Sequence, residues 1–513
     1  MSFNYKKFGV VSLLAASLFA SSCSKDYLET RPSSSISTGD ITSTTQGLYT
    51  LLNGLHYHFV RPGASGGTRA YDWGQKSVDM GLDIMGEDIV LSASPYDWFT
   101  YHYQYVSTEA ANYWMPAHIW LFYYRIINNA NQILAAVDNA SGPSNEKQDL
   151  KGQALTYRAY AYFRLVNCFS EHILAPGGPT SLGVPIYTQP TEGNTIFQGR
   201  GTVQDVYNRI FADLDEAELL LYTSGIGTTP VNKSHISLDV YNGIYARVAL
   251  TAGQYEKAAM KAMNAKDGHP LMNAAQLLQG FNSSLNDEWM WASQLTAEQS
   301  NARGLLCFMS WMDEEAPGYA NVGAVRAITE TLYNLIDPDD IRKSHWNDAD
   351  YLKQKKFGVV VKTGFDYNDL LMRSSEMYLI EAEAAARMGD NARAANVLQE
   401  LMVVRNPSYD VNASVTAHND SLRAKRLLGL TNSDNWTILE EIKLQRKIEL
   451  WGEGFGYEDV RRYQKGLNRP RNYSKDHSPG RATVITLLPN AKQFLFRIPQ
   501  SEIDANSNVQ QNP

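Results

Sequence analysis

Cysteine is scarce. The chain of 513 residues holds only Cys23, Cys168 and Cys307. That excludes a disulfide-built framework and a cysteine-ligated cluster, and a chain of this length can bury enough core to do without staples. Charge is also sparse, at 19% of residues, with 46 Lys and Arg against 54 Asp and Glu for a net −8. A nucleic-acid groove across the protein does not fit that balance. Beyond Ala20 no apolar run approaches the roughly 20 residues of a membrane-spanning helix. The phosphate-cradling glycine loops, the His-Glu-x-x-His zinc helix and the Gly-x-Ser-x-Gly nucleophile elbow are all missing. His56 and His58 have no evident third ligand, so neither a metal nor a cofactor is expected.

What the sequence does contain begins with a targeting segment. Lys6 and Lys7 precede an apolar stretch from Phe8 to Ala20, which is too short to span a bilayer and reads as a signal-peptide core. Ala20, Ser21 and Ser22 then lead into Cys23, the pattern of a lipoprotein processing site at which the cysteine becomes the lipidated first residue. Removal of residues 1–22 takes away two lysines and no acid, leaving 44 basic against 54 acidic residues, or −10. Residues 23–40 are rich in Ser, Thr and Pro and read as a tether. Cys168, on a helical apolar pattern, is expected to be a small buried hydrophobe. A disulfide to Cys307 is an open alternative.

The body, read as residues 41–270 and 271–513, is expected to be dominated by α-helix, with large irregular loops and a little β-structure. Apolar residues at helical spacing predict helices over 41–59 (Leu48, Leu51, Leu52, Leu55), 112–137, 145–168 and 202–221. Two helix pairs share one design. Leu238–Leu250 ends near Gly253 and is followed by Tyr255, Ala258, Ala259 and Ala262; Met377–Met388 ends at Gly389 and is followed by Ala392, Ala394, Ala395 and Leu398. A glycine that tolerates the left-handed turn, then alanines that permit close approach, is the layout of tetratricopeptide pairs. Residues 265–370 are irregular, with Trp289, Trp291, Trp311, Tyr319 and Trp346, and are too long for a simple connection. A further irregular stretch, 406–435, precedes a helix over 437–451.

Aromatic residues supply the positive signal for function. Tyr96 to Tyr124 holds twelve in 29 residues, where the chain average of 11% gives about three. Trp114, Trp120, Tyr123 and Tyr124 fit a helix face, whereas Tyr101, Tyr103 and Tyr105 alternate as on an extended segment. In Ser94-Pro95-Tyr96-Asp97-Trp98 two large rings and an acid share a turn. An exposed ring beside a polar group can stack on the C–H face of a pyranose while the polar group takes its hydroxyls. Trp311, in a second turn-rich segment beside Asp313 and Glu314, is expected to be exposed at the same site. Carboxylates at Asp83, Glu87 and Asp88, or Glu314 and Glu315, keep open a glycosidase reading, which needs two of them about 5–9 Å apart. A groove that captures peptides is a third class.

Four motifs in order carry a family resemblance. These are Cys23-Ser24-Lys25-Asp26-Tyr27-Leu28-Glu29-Thr30-Arg31-Pro32; the helix Leu371 to Ala384, containing Arg373, Glu376, Tyr378, Leu379, Glu381 and Glu383; Ile442 to Trp451 with Gln445-Arg446 and Glu449, followed by Gly454-Phe455 and Asp459-Val460-Arg461-Arg462; and Phe496-Arg497-Ile498-Pro499-Gln500 running to Asn506. Across nearly its whole length the chain resembles the SusD/RagB family of outer-membrane nutrient-binding lipoproteins. The resemblance implies an α-helical scaffold of tetratricopeptide-like pairs and no enzymatic activity. It also implies a lipid-anchored position at the outer membrane, exposed at the cell surface. The implied role is capture of oligosaccharide for delivery to a SusC-type TonB-dependent transporter. Glu376, Glu381, Glu383, Arg446 and Glu449 are then packing residues that tie C-terminal segments to the scaffold. Ligand contacts are expected from Asp72, Trp73, Tyr96, Asp97, Trp98, Trp311 and Asn321.

Overall fold

Apolar spacing and local capping produce the helices of a computed structural model. It describes residues 41–513 except 64–68, 95, 228–231, 359–366, 472 and 479–480. The signal segment, Cys23 and the tether lie outside the described residues, as does Pro95. The longer helices are α1 (Thr45–His58), α2 (Gln75–Ile84), α3 (Trp114–Ala136), α4 (Ser144–Phe169), α5 (Val203–Ser224), α6 (Leu238–Thr251), α7 (Tyr255–Lys266), α8 (Ser374–Arg387), α9 (Asn391–Met402) and α10 (Ile438–Glu449). In α1, Leu48, Leu52 and Leu55 are buried at the expected spacing. Thr202 and Asp205 form a reciprocal capping box at the start of α5, and Thr437 and Glu440 do the same for α10. α4 begins one residue before Asn145, after Pro143, so Asn145 lies in the first turn and is not its cap.

Consecutive helices pack as antiparallel pairs, α3 with α4, α4 with α5, α6 with α7 and α8 with α9. Gly253 (φ 76°) and Gly389 (φ 83°) make the left-handed turns that reverse the chain inside the last two pairs. Ala258, Ala259 and Ala262 are fully covered where α7 meets its neighbours, and Ala394 plays that part in α9. Ala392 stays exposed. The scaffold is therefore the tetratricopeptide-like stack expected from the repeated layout. One large core gathers side chains from Leu48 to Val509 across these helices.

The long irregular region builds a second core of its own. Trp73, Trp289, Trp311, Trp346 and Trp451 are buried together with Phe99, Phe308 and Phe357. Small elements frame it. Ile89–Leu91, Arg326–Ile328, Lys353–Gln354 and Trp346–Asn347 form a four-stranded antiparallel sheet in that order, and Trp289–Ala292 pairs with Leu370–Arg373. Stretch 406–435 contains two short helices, Val411–Asn419 and Leu422–Leu427. Cys168 and Cys307 are both buried free thiols.

The motif carboxylates and arginines are interior ties. Glu376 takes Arg247, Glu381 takes Arg393 and Lys266, and Glu383 takes Arg387 and Arg462. Arg446 donates to Asp459 at 2.7 Å. Glu449 sits among three guanidiniums, those of Arg342 (3.0 Å), Arg373 (2.7 Å) and Arg405 (2.9 Å). Glu288, Glu453 and Asp340 pair with the same arginines, and Lys356 adds a fourth cation on Glu453. Four buried cations thus meet four buried carboxylates, which is what lets charges of this density stay inside.

Candidate functional site

The strand pairing sets the position of the Tyr96–Trp98 turn. Leu91 faces Arg326 in register, and the Ser92 hydroxyl both donates to the Gly323 carbonyl (2.5 Å) and accepts from the Val325 amide (2.8 Å). The chain leaving Leu91 therefore runs beside 319–326. Arg326 then reaches Asp97 through two hydrogen bonds, 2.9 and 3.1 Å, with both side chains fully covered. Burial works against the guanidinium and lowers the pKa of Arg326, which Asp97 opposes. Asp97 also accepts from the Phe99 amide at 3.1 Å, which closes the turn. A bidentate ion pair of this kind holds geometry more than it adds net stability.

Above that pair the backbone enters a helical turn, Thr100–Tyr103. Helical spacing puts Phe99, His102 and Tyr103 inward, whereas Trp98 and Tyr101, three residues apart, face out at 44% and 45% exposure. The extended alternation expected for Tyr101, Tyr103 and Tyr105 is corrected by this turn: Tyr103 and Tyr105 are core residues, and Tyr105 is in the left-handed region (φ 61°). The Tyr101 ring meets Tyr113 edge-on at 5.3 Å, and beside Tyr113 the Trp114 ring stacks on Tyr71 at 3.4 Å. Arg69 donates to the Tyr71 hydroxyl at 2.8 Å. Tyr96 is 51% exposed. The result is a strip of half-buried and exposed rings, Trp98, Tyr101, Tyr113, Trp114 and Tyr71, on a base locked by Asp97 and Arg326. Sequence reasoning passed over Tyr71, Tyr101 and Tyr113. The three-residue spacing from Trp98 to Tyr101 was the available signal for Tyr101, hidden by the equally plausible two-residue alternation.

Other expected residues fall beneath the strip. The expectation that Trp311 is exposed is corrected: it is fully covered, stacked on Tyr319 at 4.1 Å and 13°, edge-on to Phe99 at 5.0 Å, with the Arg326 guanidinium 5.5 Å from its ring. Its ring meets the Trp98 segment at Phe99, inside the core. Trp73 is buried edge-on to Phe99, with its indole donating to the Ala70 carbonyl at 3.1 Å. Asp72 is buried 3.4 Å from the His118 ring. Asp97 is buried in its ion pair, so its carboxylate is occupied by Arg326. Asn321 is exposed, and its amide donates to the Glu314 carbonyl at 2.8 Å.

The carboxylates considered for hydrolysis are engaged elsewhere. Glu87 is buried between Lys447 and Lys465, each at 2.9 Å. Burial would raise its pKa, but the two ammonium groups outweigh that and hold it at about 2. Asp88 shares Lys447 at 2.9 Å. Asp83 is buried against the Gly454 and Gly456 amides, and burial raises it to about 7. Glu314 pairs with Lys353 at 3.2 Å, while Glu315 is exposed. None of these forms a pair opening onto the aromatic strip.

Comparison with known proteins agrees with the architecture. A family model described as "Starch-binding associating with outer membrane" matches residues 67–236, and a model of the SusD family matches residues 281–513. A SusD-like carbohydrate binding protein from Bacteroides vulgatus ATCC 8482 superposes with a TM-score of 0.72 at 27% identity, covering 91% of this chain and 97% of that one. A SusD superfamily protein from Bacteroides thetaiotaomicron VPI-5482 superposes at 0.73 with 22% identity, covering 92% and 100%. A laminarin binding SusD-like protein does so at 0.62 with 19% identity, covering 92% and 99%. The last two, at such identities, speak to the fold alone. No curated protein matches the chain. Among the described residues no helix is long and apolar enough to cross a membrane.

Proposed function

The chain belongs to the SusD/RagB family, and from that premise and the aromatic strip we propose that it captures glycan at the outer cell surface without turning it over. The observation that carries the reading is the outward pair Trp98 and Tyr101 on a base held by Asp97 and Arg326. Rings presented on a rigid base lose little entropy on binding and offer flat faces to sugar C–H groups. Tyr96 and Asn321, both exposed, are the polar groups proposed to take sugar hydroxyls. The captured oligosaccharide would pass to a TonB-dependent transporter of the SusC type.

The test is a screen of purified polysaccharides followed by titration of the best binder. Stacking on one exposed ring is worth about 1–3 kcal/mol by analogy with other aromatic platforms. Trp98→Ala is therefore expected to weaken binding about 5- to 150-fold, with the melting temperature unchanged. Affinity that survives the substitution removes Trp98 from the site. The bound oligosaccharide, incubated overnight with micromolar protein, is expected to keep its chain length.

Anchoring is tested separately at Cys23. Two or more acyl chains hold a protein firmly where one does not. Cys23→Ser is expected to block processing or to release the protein from the membrane fraction. Normal processing with full membrane retention would sink the anchor.

A further inference from the structure

A cleft of about 280 Å³ opens between α1, the loop 232–236 and the segment 293–299 that follows Trp289–Ala292. It shares no lining residue with the aromatic strip. One wall is a mutually packed aromatic trio, Phe59, Tyr157 and Trp291, with ring centres 5.4 to 6.2 Å apart. The lining also carries neutral polar groups, among them Asn53, Asn232, Gln294 and Gln299. The frame is hydrogen-bonded shut around them. The Trp291 indole and the Tyr157 hydroxyl both donate to the Ser234 carbonyl at 3.3 Å, and the Gln294 backbone N–H donates to the Ser234 hydroxyl at 2.8 Å.

His56 also lines the cleft. Its ring lies 4.4 Å from that of His235 and 5.7 Å from that of Tyr157, and its Nε2 is covered without a hydrogen-bond partner. A buried ring nitrogen in that position is an unanswered donor or acceptor, whichever tautomer is present. Burial, with His235 alongside, lowers the pKa of His56 well below the ordinary histidine value. Among the described residues no third metal-ligating side chain joins the two histidines.

The chemistry of the lining defines its ligand. Among the described residues no Asp, Glu, Lys or Arg lines the cleft, so a charged ligand would lose its hydration with no countercharge to replace it. A volume at or just below the lower edge of small-molecule pockets, about 300–1,000 Å³, suits one ring rather than a chain. A lining that combines aromatic rings with amides and hydroxyls matches a ring with an apolar face and a belt of groups that both donate and accept. We infer that this cleft is a second ligand site, built for a single neutral saccharide ring and separate from the aromatic strip.

Saturation-transfer NMR with D-glucose, D-galactose, D-mannose, D-xylose and N-acetyl-D-glucosamine tests it on the full chain. At least one probe is expected to receive saturation. That signal should persist in Trp98→Ala, which keeps the cleft separable from the proposed glycan platform. It should fall about ten-fold in His56→Phe, which replaces an imidazole of the lining with an apolar ring. Asn53→Trp, an exposed position at the rim on α1, should do the same without touching the core. The charged analogues glucosamine and glucuronate should give signals about ten-fold weaker than the neutral sugars. Silence from every neutral probe, a signal indifferent to Asn53→Trp, a signal lost in Trp98→Ala, or equal signals from the charged analogues would each overturn the assignment.

Discussion

Truncation of Trp311 to alanine is expected to lower folding stability by about 3–5 kcal/mol, the range for removing a large aromatic from a packed core. The ring has no exposed surface and touches Tyr319, Phe99 and the Arg326 guanidinium. Its loss leaves a cavity under the ion pair that holds the Trp98 turn. Denaturant titration and thermal melting measure the effect, alongside the same measurements on Trp98→Ala. The two tryptophans are expected to separate cleanly: Trp311→Ala melts early, and Trp98→Ala melts as the parent does while losing glycan. Trp311→Ala with an unchanged denaturation midpoint would mean that the ring is not part of the core. Loss of affinity in Trp311→Ala at a temperature where the protein remains folded is expected only through loosening of the Asp97–Arg326 base.

Glu449→Gln is expected to cost about as much, roughly 3–5 kcal/mol, because it takes the charge from one member of a buried ionic network and leaves the others in place. Arg342, Arg373 and Arg405 converge on this carboxylate, and glutamine keeps its shape but cannot neutralise them. This network, together with the separate Glu87–Lys447–Lys465 cluster, predicts an acid limb. Burial works to raise Glu449, Glu453 and Glu87, and the surrounding arginines and lysines outweigh it, so that all three are lowered, Glu453 and Glu87 to about 2. A carboxylate whose folded pKa lies below its unfolded value binds protons more readily when unfolded. Its contribution is complete above the ordinary value of 4.5 and is lost as pH falls towards 2. Melting temperature should therefore drop across that interval, and drop less steeply in Glu449→Gln, which has one such carboxylate fewer. Parallel curves for the two proteins would contradict the network's share in acid stability.

The sequence by itself determined the scaffold. Apolar spacing in Leu48, Leu52 and Leu55, the Thr202–Asp205 and Thr437–Glu440 caps, and glycine followed by alanine at 253–262 and 389–394 are local signals, each complete within one or two turns. The carboxylates and arginines of the motifs were legible as packing residues only through the family resemblance, and the structure pairs them inside the scaffold. Tertiary structure alone decided which rings reach solvent. Trp98 and Trp311 both lie close to acids in the sequence, Asp97 and Asp313, and that local pattern does not tell them apart. Trp311 is covered because Tyr319 and Arg326 fold over it and Phe99 arrives from 212 positions earlier in the chain. Trp98 is exposed because the acid next to it turns inward to Arg326, carrying the backbone into a helical turn that faces its neighbours outward. Burial is a sum over contacts from the whole chain, whereas helix formation depends on the next four residues, and so only the latter could be read directly from the order of amino acids.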